Sequence, residues 1–409
     1  MFQSPRMISY QVPDLGKASE WYSRLLGRDP AFESPMAVIF TVGDCVLALV
    51  PLGDSPKGNS GEVAFWSVDD IDDAYRRLIE SGAAPLTEIT LLMLKSRIAR
   101  VTDPFGNVLG IICDSESKKS VEDRPSESAL TVAYCRALAT YDAREEVRGP
   151  DRLAEIFVAE EGKKSLKDPA AREWMIKRLC GSYEYFVART AYMDQVVQQA
   201  LRDDVPQIVM LGAGYDTRPY RFGSEIKGTR IFELDAHPTQ QRKRRLLAQA
   251  YVPIPPQLVY VTINFEREQL AEVLARAGFD RKAKTLFVWE GVTYYLSPRA
   301  VDDTLAFIRN NSPSGSALCF DYMIQAPDLA SRYGVSAVWE AWRKAYSSEQ
   351  VRFGIEEGKV ETFLSQRGFR LIENLAPDEI EKRFLTLKDG SPAGRAVALF
   401  NLAHASVSE

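Results

Sequence analysis

Ile208-Val209-Met210-Leu211-Gly212-Ala213-Gly214-Tyr215-Asp216-Thr217-Arg218 is the stretch that decides the fold. An apolar run passes straight into G-x-G. Glycine at both positions lets the backbone turn sharply and lets a ligand approach closer than a Cβ would permit. In an open α/β sheet, ligands bind at the carboxyl ends of the strands, where this loop lies. Alone, G-x-G reads equally well as a tight turn. The next apolar run, Ile231-Phe232-Glu233-Leu234-Asp235, ends in an acid 21 residues beyond Gly214. A carboxylate ~20 residues past a glycine loop can accept both hydrogen bonds of a ribose diol; the alternative is a solvated strand-end acid. A dinucleotide loop would add a third glycine for its pyrophosphate, but Thr217, Arg218 and Pro219 follow here. Adenosylmethionine has no phosphate, so this departure favours it over NAD.

Outward from this loop, helices alternate with apolar strands, the pattern of a parallel sheet covered on both faces. Strands are expected at 207–211, 230–234, 258–263, 285–289, 316–322 and 396–402, after a helical cap over 129–200. Past the fifth strand, residues 326–354 read as a long helical insertion carrying Trp339, Trp342, Tyr346 and Phe353. The i, i+3 spacing of the two tryptophans makes one helix face aromatic, either core or a wall for an apolar or aromatic acceptor. Upstream, residues 114–128 contain nothing larger and more apolar than Val121 and read as a linker. The expected division is therefore a domain at 1–113, a linker at 114–128 and a second domain at 129–409.

The string Leu211-Gly212-Ala213-Gly214-Tyr215-Asp216-Thr217-Arg218, with Tyr220-Arg221, Phe232-Glu233-Leu234-Asp235 and Glu290-Gly291-Val292 before Tyr294-Tyr295-Leu296, resembles the leucine carboxyl methyltransferase family. More narrowly it is similar to the bacterial branch that includes polyketide carboxyl O-methyltransferases. The resemblance runs over about 128–402 and takes in Arg136-Ala137, Arg189-Thr190 with Asp194, and Phe353-Gly354-Ile355. It implies a Rossmann-type α/β domain that uses S-adenosylmethionine. It also implies that Arg189 grips the methionine carboxylate, a task suited to a planar guanidinium with two parallel donors. Gly212, with Ala213 and Gly214, would pass its backbone close to the methionine part, and Asp235 would hold the ribose, with Glu233 as second candidate. Where the family has Asp-Leu against adenine, this chain has Asn264-Phe265; an amide oxygen can meet the exocyclic amine and a phenyl ring can stack. Glu290 would stand where donor and acceptor meet, and with Tyr294 would position the reacting groups.

The histidine supply bears on the chemistry. Only His237 and His404 occur, the first two residues past Asp235 and the second beyond the last expected strand. Methylating a hydroxyl benefits from a base poised near working pH, most often histidine. A carboxylate, whose ordinary pKa is roughly 4, is already ionised and needs none. The expectation is O-methyl transfer to a carboxylate of a small natural product or metabolite. A phenol or alcohol acceptor, a protein C-terminal carboxylate, and a non-enzymatic small-molecule-binding or resistance protein remain as alternatives.

The first 113 residues contain two β-α-β-β-β patterns, their helices opening on Asp14 and on Asp69-Asp70 and closing at Gly27 and Gly82. Val12-Pro13-Asp14 with Trp21-Tyr22 and Leu25-Leu26-Gly27, and Asp103-Pro104-Phe105-Gly106-Asn107, resemble the glyoxalase/bleomycin-resistance (vicinal oxygen chelate) superfamily over 5–113. Two such units make one cleft in an α+β fold, which Trp21, Tyr22, Phe40, Phe65 and Trp66 would line if they are not core. Metal-dependent relatives take a ligand from the first strand and a glutamate from the last. Met7 and Gly110 stand there, so no metal is expected. Pairing of such domains by analogy suggests a homodimer.

Composition excludes other classes. A formal charge of −5 lacks the basic excess of nucleic-acid binders, and the run Arg242 to Arg245 reads as a solvated helix face. No apolar run approaches the ~20 residues of a membrane span. Five scattered cysteines without a C-x-x-C pair read as reduced thiols, and the cytoplasm is the expected compartment.

Overall fold

A computed structural model describes residues 5–42, 45–51, 62–68, 70–92, 96–103, 108–114, 125–345 and 349–408. Residues 104–107 of the glyoxalase-like motif, 115–124 of the linker, Asp69 and Tyr346 lie outside them. By contacts the chain divides into two units, residues 1–118 with 159–178, and residues 119–158 with 179–409.

The first unit carries the duplicated pattern. Strand β1 (Pro5–Val12), helix α1 (Leu15–Leu26), β2 (Phe32–Ser34), β3 (Ala37–Val42) and β4 (Cys45–Pro51) form one repeat. Strand β5 (Glu62–Ser67), helix α2 (Ile71–Glu80), β6 (Ala84–Leu92), β7 (Ser96–Thr102) and β8 (Val108–Asp114) form the other. All eight strands join one sheet in the order β2-β3-β4-β1-β5-β8-β7-β6, with β1 and β5 antiparallel at its centre. Asp14 caps α1 by accepting from Lys17 N at 3.0 Å, and Asp70 caps α2 by accepting from Asp72 N and Asp73 N. Met7 pairs with Phe65, and Phe65 with Gly110. A Cβ at Gly110 would lie 2.6 Å from the Phe65 ring. Phenyl thus takes the space a glutamate would need at the metal-ligand position of relatives. A metal does not fit there. Two helices from the middle of the chain, α4 (Glu160–Lys167) and α5 (Pro169–Arg178), belong to this unit, and Trp174 meets Phe32 edge-on at 5.3 Å.

The second unit opens with α3 (Glu127–Ala139), capped by Ser126, so the helix begins inside the stretch read as linker. The long α6 (Ser182–Arg202) leads to the sheet: β9 (Gln207–Leu211), β10 (Arg230–Asp235), β11 (Leu258–Thr262), β12 (Thr285–Trp289), β13 (Ala317–Gln325), β14 (Ile355–Glu356), β15 (Phe369–Leu375) and β16 (Phe400–Val407). The strand order is β11-β10-β9-β12-β13-β16-β15, with β14 beside β13. Every side chain of β9 and β12 is buried, as continuous apolar strands covered on both faces must be. Each large apolar side chain fully buried here contributes roughly 1.5–3 kcal/mol.

Three expectations are corrected. The sheet is not parallel throughout, because β16 runs antiparallel to both β13 and β15. The last strand begins at Phe400 rather than 396, since Val397 N and Ala398 N donate to Gly181 O and Tyr333 O before sheet pairing starts. Among the described residues, the insertion holds a 3-10 turn, Leu329–Ser331, and an 11-residue helix, Val335–Ala345, rather than one long helical stretch. None of the five cysteines is in a disulfide. Among the described residues, no helix is long and apolar enough to cross a membrane.

Candidate functional site

The carboxyl ends of β11, β10, β9 and β12 open on a cavity of about 510 Å³. Its walls include Arg189, Gly212, Ala213, Gly214, Asp235, Asn264, Phe265, Glu290 and Tyr294, but not Glu233. The volume is within the ~300–1,000 Å³ usual for small-molecule sites.

The glycine bend is required by its surroundings. Gly212 has φ +70°, and a Cβ there would lie 2.4 Å from Val292 Cγ2. Beyond it, Ala213 N donates to Leu234 O at 2.8 Å, and Gly214 N donates to Asp235 Oδ2. Asp235 Oδ1 accepts from Ala236 N at 2.7 Å. The loop and the strand-end acid are thus one structure, with the carboxylate fixed at the cavity wall. Burial pushes the Asp235 carboxyl up to about 6, against the lowering effect of the Gly214 and Ala236 amides. Glu233, the second ribose candidate, points elsewhere: its Oε2 accepts from Lys243 Nζ at 2.7 Å, both side chains being buried. Lys243 thereby corrects the reading of the 242–245 run as wholly solvated.

Glu290 sits in a web of buried charges. Its Oε1 accepts from Arg189 Nε at 2.9 Å and its Oε2 from Arg218 Nη1 at 2.7 Å. Burial alone would raise its carboxyl, but Arg218 and Arg189 together hold it down at about 2. Arg189 Nη1 also donates to Asp321 Oδ2 at 2.8 Å, so two edges of its guanidinium already serve carboxylates. Arg218 further donates to Asp194 and Asp216, and Arg221 donates twice to Asp194. The D-T-R-x-Y-R run after the glycine bend therefore puts Asp216 on the cavity wall and Arg218 behind Glu290.

Two contributors were not singled out from the sequence. Asp321, fully buried on β13, accepts from Tyr185 Oη, Arg189 Nη1 and Gly291 N, and so fixes the turn after Glu290. Its signal was an acid inside the apolar run Leu318 to Ile324. Arg136, noted only as part of a resemblance, lines the cavity; its Nη2 donates to Tyr215 O at 2.6 Å and its Nε faces Asp151 Oδ2 at 3.0 Å. Asn264 lines the cavity, but its side-chain oxygen accepts from Glu266 N at 3.0 Å, closing a turn. Tyr294 is buried, and burial, reinforced by Asp321, raises its phenol so that it stays protonated. Of the two histidines, His237 is exposed and His404 lies on β16; neither lines the cavity.

A sheet of this order, a phosphate-free glycine bend joined to a strand-end acid, and a cavity along the strand ends together define a Rossmann-type methyltransferase fold. The leucine carboxyl methyltransferase family model matches residues 129–309, and the glyoxalase/bleomycin resistance protein/dioxygenase superfamily model matches residues 5–111. A Streptomyces avermitilis protein is 34% identical over 215 residues, covering 51% of this chain and 72% of that one. One from Streptomyces coelicolor is 33% identical over 195 residues, with 46% and 67% covered. YktD of Bacillus subtilis is 30% identical over 202 residues, with 49% and 66% covered. All three carry provisional names as S-adenosyl-L-methionine-dependent methyltransferases. The chain belongs to the leucine carboxyl methyltransferase family, and it spans about two thirds of the length of these relatives.

Proposed function

We propose that the second unit is an S-adenosylmethionine-dependent methyltransferase that esterifies a carboxylate of a small molecule. When bound, the donor supplies an activated methyl group on a sulfonium. Asp235 would hold the ribose hydroxyls, Asn264 and Phe265 the adenine, the Gly212–Gly214 backbone the methionine part, and Arg136 with Arg189 the positive field for its carboxylate. The residues suit a donor without phosphates, because the amide that would meet a pyrophosphate, Gly214 N, is instead bonded to Asp235.

The observation that carries the acceptor reading concerns the two groups expected where donor and acceptor meet, neither of which is a ready proton acceptor. Glu290 is kept ionised by two arginines, and Tyr294 keeps its proton. A hydroxyl acceptor must lose a proton during transfer, which a base ordinarily collects. A carboxylate does not: one of its oxygens forms the new O–CH3 bond as the S–CH3 bond breaks, leaving a methyl ester and S-adenosylhomocysteine. What remains for the protein is alignment and exclusion of water. Glu290, Asp321 and their arginines hold this part of the cavity rigid, and Tyr294 offers a hydroxyl donor beside it.

The test uses donor labelled in the methyl group and a panel of carboxylic acids. Label that leaves the product as volatile methanol after mild base treatment is the expected result. Label that resists base, as in a methyl ether, overturns the carboxylate assignment.

A further inference from the structure

Strand β13 buries an ionisable group where its neighbours are apolar. From Leu318 to Ile324 every side chain is buried, and Asp321 is the one acid among them. Replacing a buried ion pair by well-packed apolar residues is often neutral or stabilising, so stability alone does not account for this aspartate. Its partners show what it does. Asp321 Oδ1 accepts from Gly291 N at 2.6 Å, and Oδ2 accepts from Arg189 Nη1 at 2.8 Å and from Tyr185 Oη at 2.9 Å. Its main-chain oxygen accepts from Thr293 Oγ1 at 2.6 Å. Asp321 stands behind the cavity wall rather than on it.

Both ends of Glu290 lead back to this one residue. By the side chain, Glu290 Oε1 accepts from Arg189 Nε at 2.9 Å, and the same guanidinium is bound to Asp321. By the backbone, the amide that follows Glu290 is the one Asp321 holds. Two residues past Gly291, the Thr293 bond pins the neighbour of Tyr294. Tyr294 is reached through rings as well. Tyr185, whose hydroxyl serves Asp321, stacks on Phe400 at 4.8 Å and 22°, and Phe400 packs on Tyr294 at 5.1 Å.

Resting on the reading above, in which donor and acceptor meet beside Glu290 and Tyr294, we propose that Asp321 is the positioning residue of the transfer site. It sets Glu290 and Tyr294 against the reacting atoms through the Arg189 guanidinium and the Gly291 amide. An anchor need not touch substrate to control rate, because a misplacement of about 1 Å can cost about a hundredfold. The same carboxylate bears on the Tyr294 proton. The ionisable groups facing that phenol are Tyr185 and Arg189 from α6, Glu290 from the turn after β12, and Asp321 from β13. Burial comes first in keeping the proton on, Asp321 next, with Glu290 adding to both, while Arg189 works against them. Without the Asp321 charge, Arg189 acts on the phenol with one counter-charge fewer, so Tyr294 ionises at lower pH.

The experiment compares the chain with its Asp321→Asn variant. The amide keeps the shape, and its oxygen can still accept from Gly291 N. Its NH2 then faces Arg189 Nη1, a donor with no acceptor capacity, so the guanidinium is released while the turn keeps its backbone bond. In calorimetry, affinity for S-adenosylhomocysteine should equal or exceed the parent's, since losing an anion behind Arg189 strengthens the positive field for the methionine carboxylate. On an acid that the parent methylates, kcat should fall about a hundredfold with acceptor KM near the parent's. Alkaline titration of tyrosinate absorbance should show one tyrosine ionising earlier than in the parent, a change that adding Tyr294→Phe removes. A variant that merely unfolds loses cofactor affinity along with rate and shows no shift specific to Tyr294. Parent-like kcat, a rate loss matched by lost cofactor affinity, or an unmoved Tyr294 overturns the proposal. If Asp321→Asn does not fold, Tyr185→Phe decides, because it takes one donor from Oδ2 and leaves the charge: reduced kcat with cofactor affinity kept supports the assignment, and parent-like kcat overturns it. If the parent methylates no carboxylic acid, the carboxylate reading fails, and the Tyr294 shift with retained cofactor affinity judges Asp321. A parent that binds no S-adenosylhomocysteine sinks the donor reading and this proposal with it.

Discussion

The glycine bend makes a prediction that can be worked from its geometry. Replacing Gly212 by Ala asks an L-residue to hold φ +70°, which costs roughly 1–2 kcal/mol. The new Cβ would also lie 2.4 Å from Val292 Cγ2 and 3.3 Å from its Cγ1. Valine is stiff about χ1, so relief requires moving the backbone of the Glu290–Val292 turn, and such overpacking costs about 1–3 kcal/mol. Together Gly212→Ala should destabilise by about 2–5 kcal/mol, lowering the midpoint of thermal unfolding by roughly 5–15 °C. The clash is shared with Val292 and the backbone strain is not. A double-mutant cycle with Val292→Ala should therefore show a coupling of about 1–3 kcal/mol, the double variant being better than the sum of the singles. Urea unfolding followed by tryptophan fluorescence gives all four corners. Additive losses, or a single variant as stable as the parent, would refute the close approach.

Other predictions concern the charges around the cavity. Asp235 must be ionised to accept from a diol, and burial places its carboxyl at about 6 in the ligand-free site. Its raised value costs stability as pH climbs from the unfolded pKa near 4 through 6, and cofactor affinity is gained over the upper part of that window. S-adenosylhomocysteine should bind about tenfold more weakly at pH 5 than at pH 7.5, and Asp235→Asn should be weaker throughout and flat; calorimetry at both pH values checks this. Glu290→Gln leaves Arg189 and Arg218 short of a counter-charge and should cost ~3–5 kcal/mol in unfolding experiments. Because Glu290 is held at about 2, the wild-type pH–rate profile should contain no Glu290 inflection above pH 4; one that vanishes in the variant contradicts the clamped carboxylate. Lys243→Met strands Glu233, whose carboxyl burial already raises to about 7. The variant should lose more stability at pH 8 than at pH 5, by about 1–3 kcal/mol, since removing the ammonium drives that pKa higher still. Equal losses at both pH values in urea would count against the buried pair.

The parts of the fold carried by strong local signals were legible in the sequence. The apolar strand, the glycines and the acid of Asp235 announced the bend because each is a residue type the geometry demands. What was missed depends on tertiary context. Strand β15, at a sheet edge, interleaves exposed Arg370 and Ile372 with buried Phe369 and half-buried Leu371, so it lacks the continuous apolar run that marked β9 and β12. The start of β16 differs because residues 396–398 are equally apolar, yet their amides donate to Glu381, Gly181 and Tyr333 rather than to a neighbouring strand. Lys243 was read with its neighbours on a solvated face, yet the helix turns it inward to Glu233, a partner ten residues away on β10. Arg189 was legible as a site residue, but its two carboxylate partners come from the turn after β12 and from β13, and no spacing rule connects them to α6.

On the reading proposed above, the cavity beside Gly212 and Asp235 holds an adenosine without phosphates. Titration of the purified chain with S-adenosylhomocysteine in a calorimeter tests this directly, with NAD and ATP as comparisons. Saturable binding of one S-adenosylhomocysteine per chain is expected, with none of the phosphate-bearing nucleotides bound at the same concentrations. No heat from S-adenosylhomocysteine, or equal affinity for NAD, would contradict it.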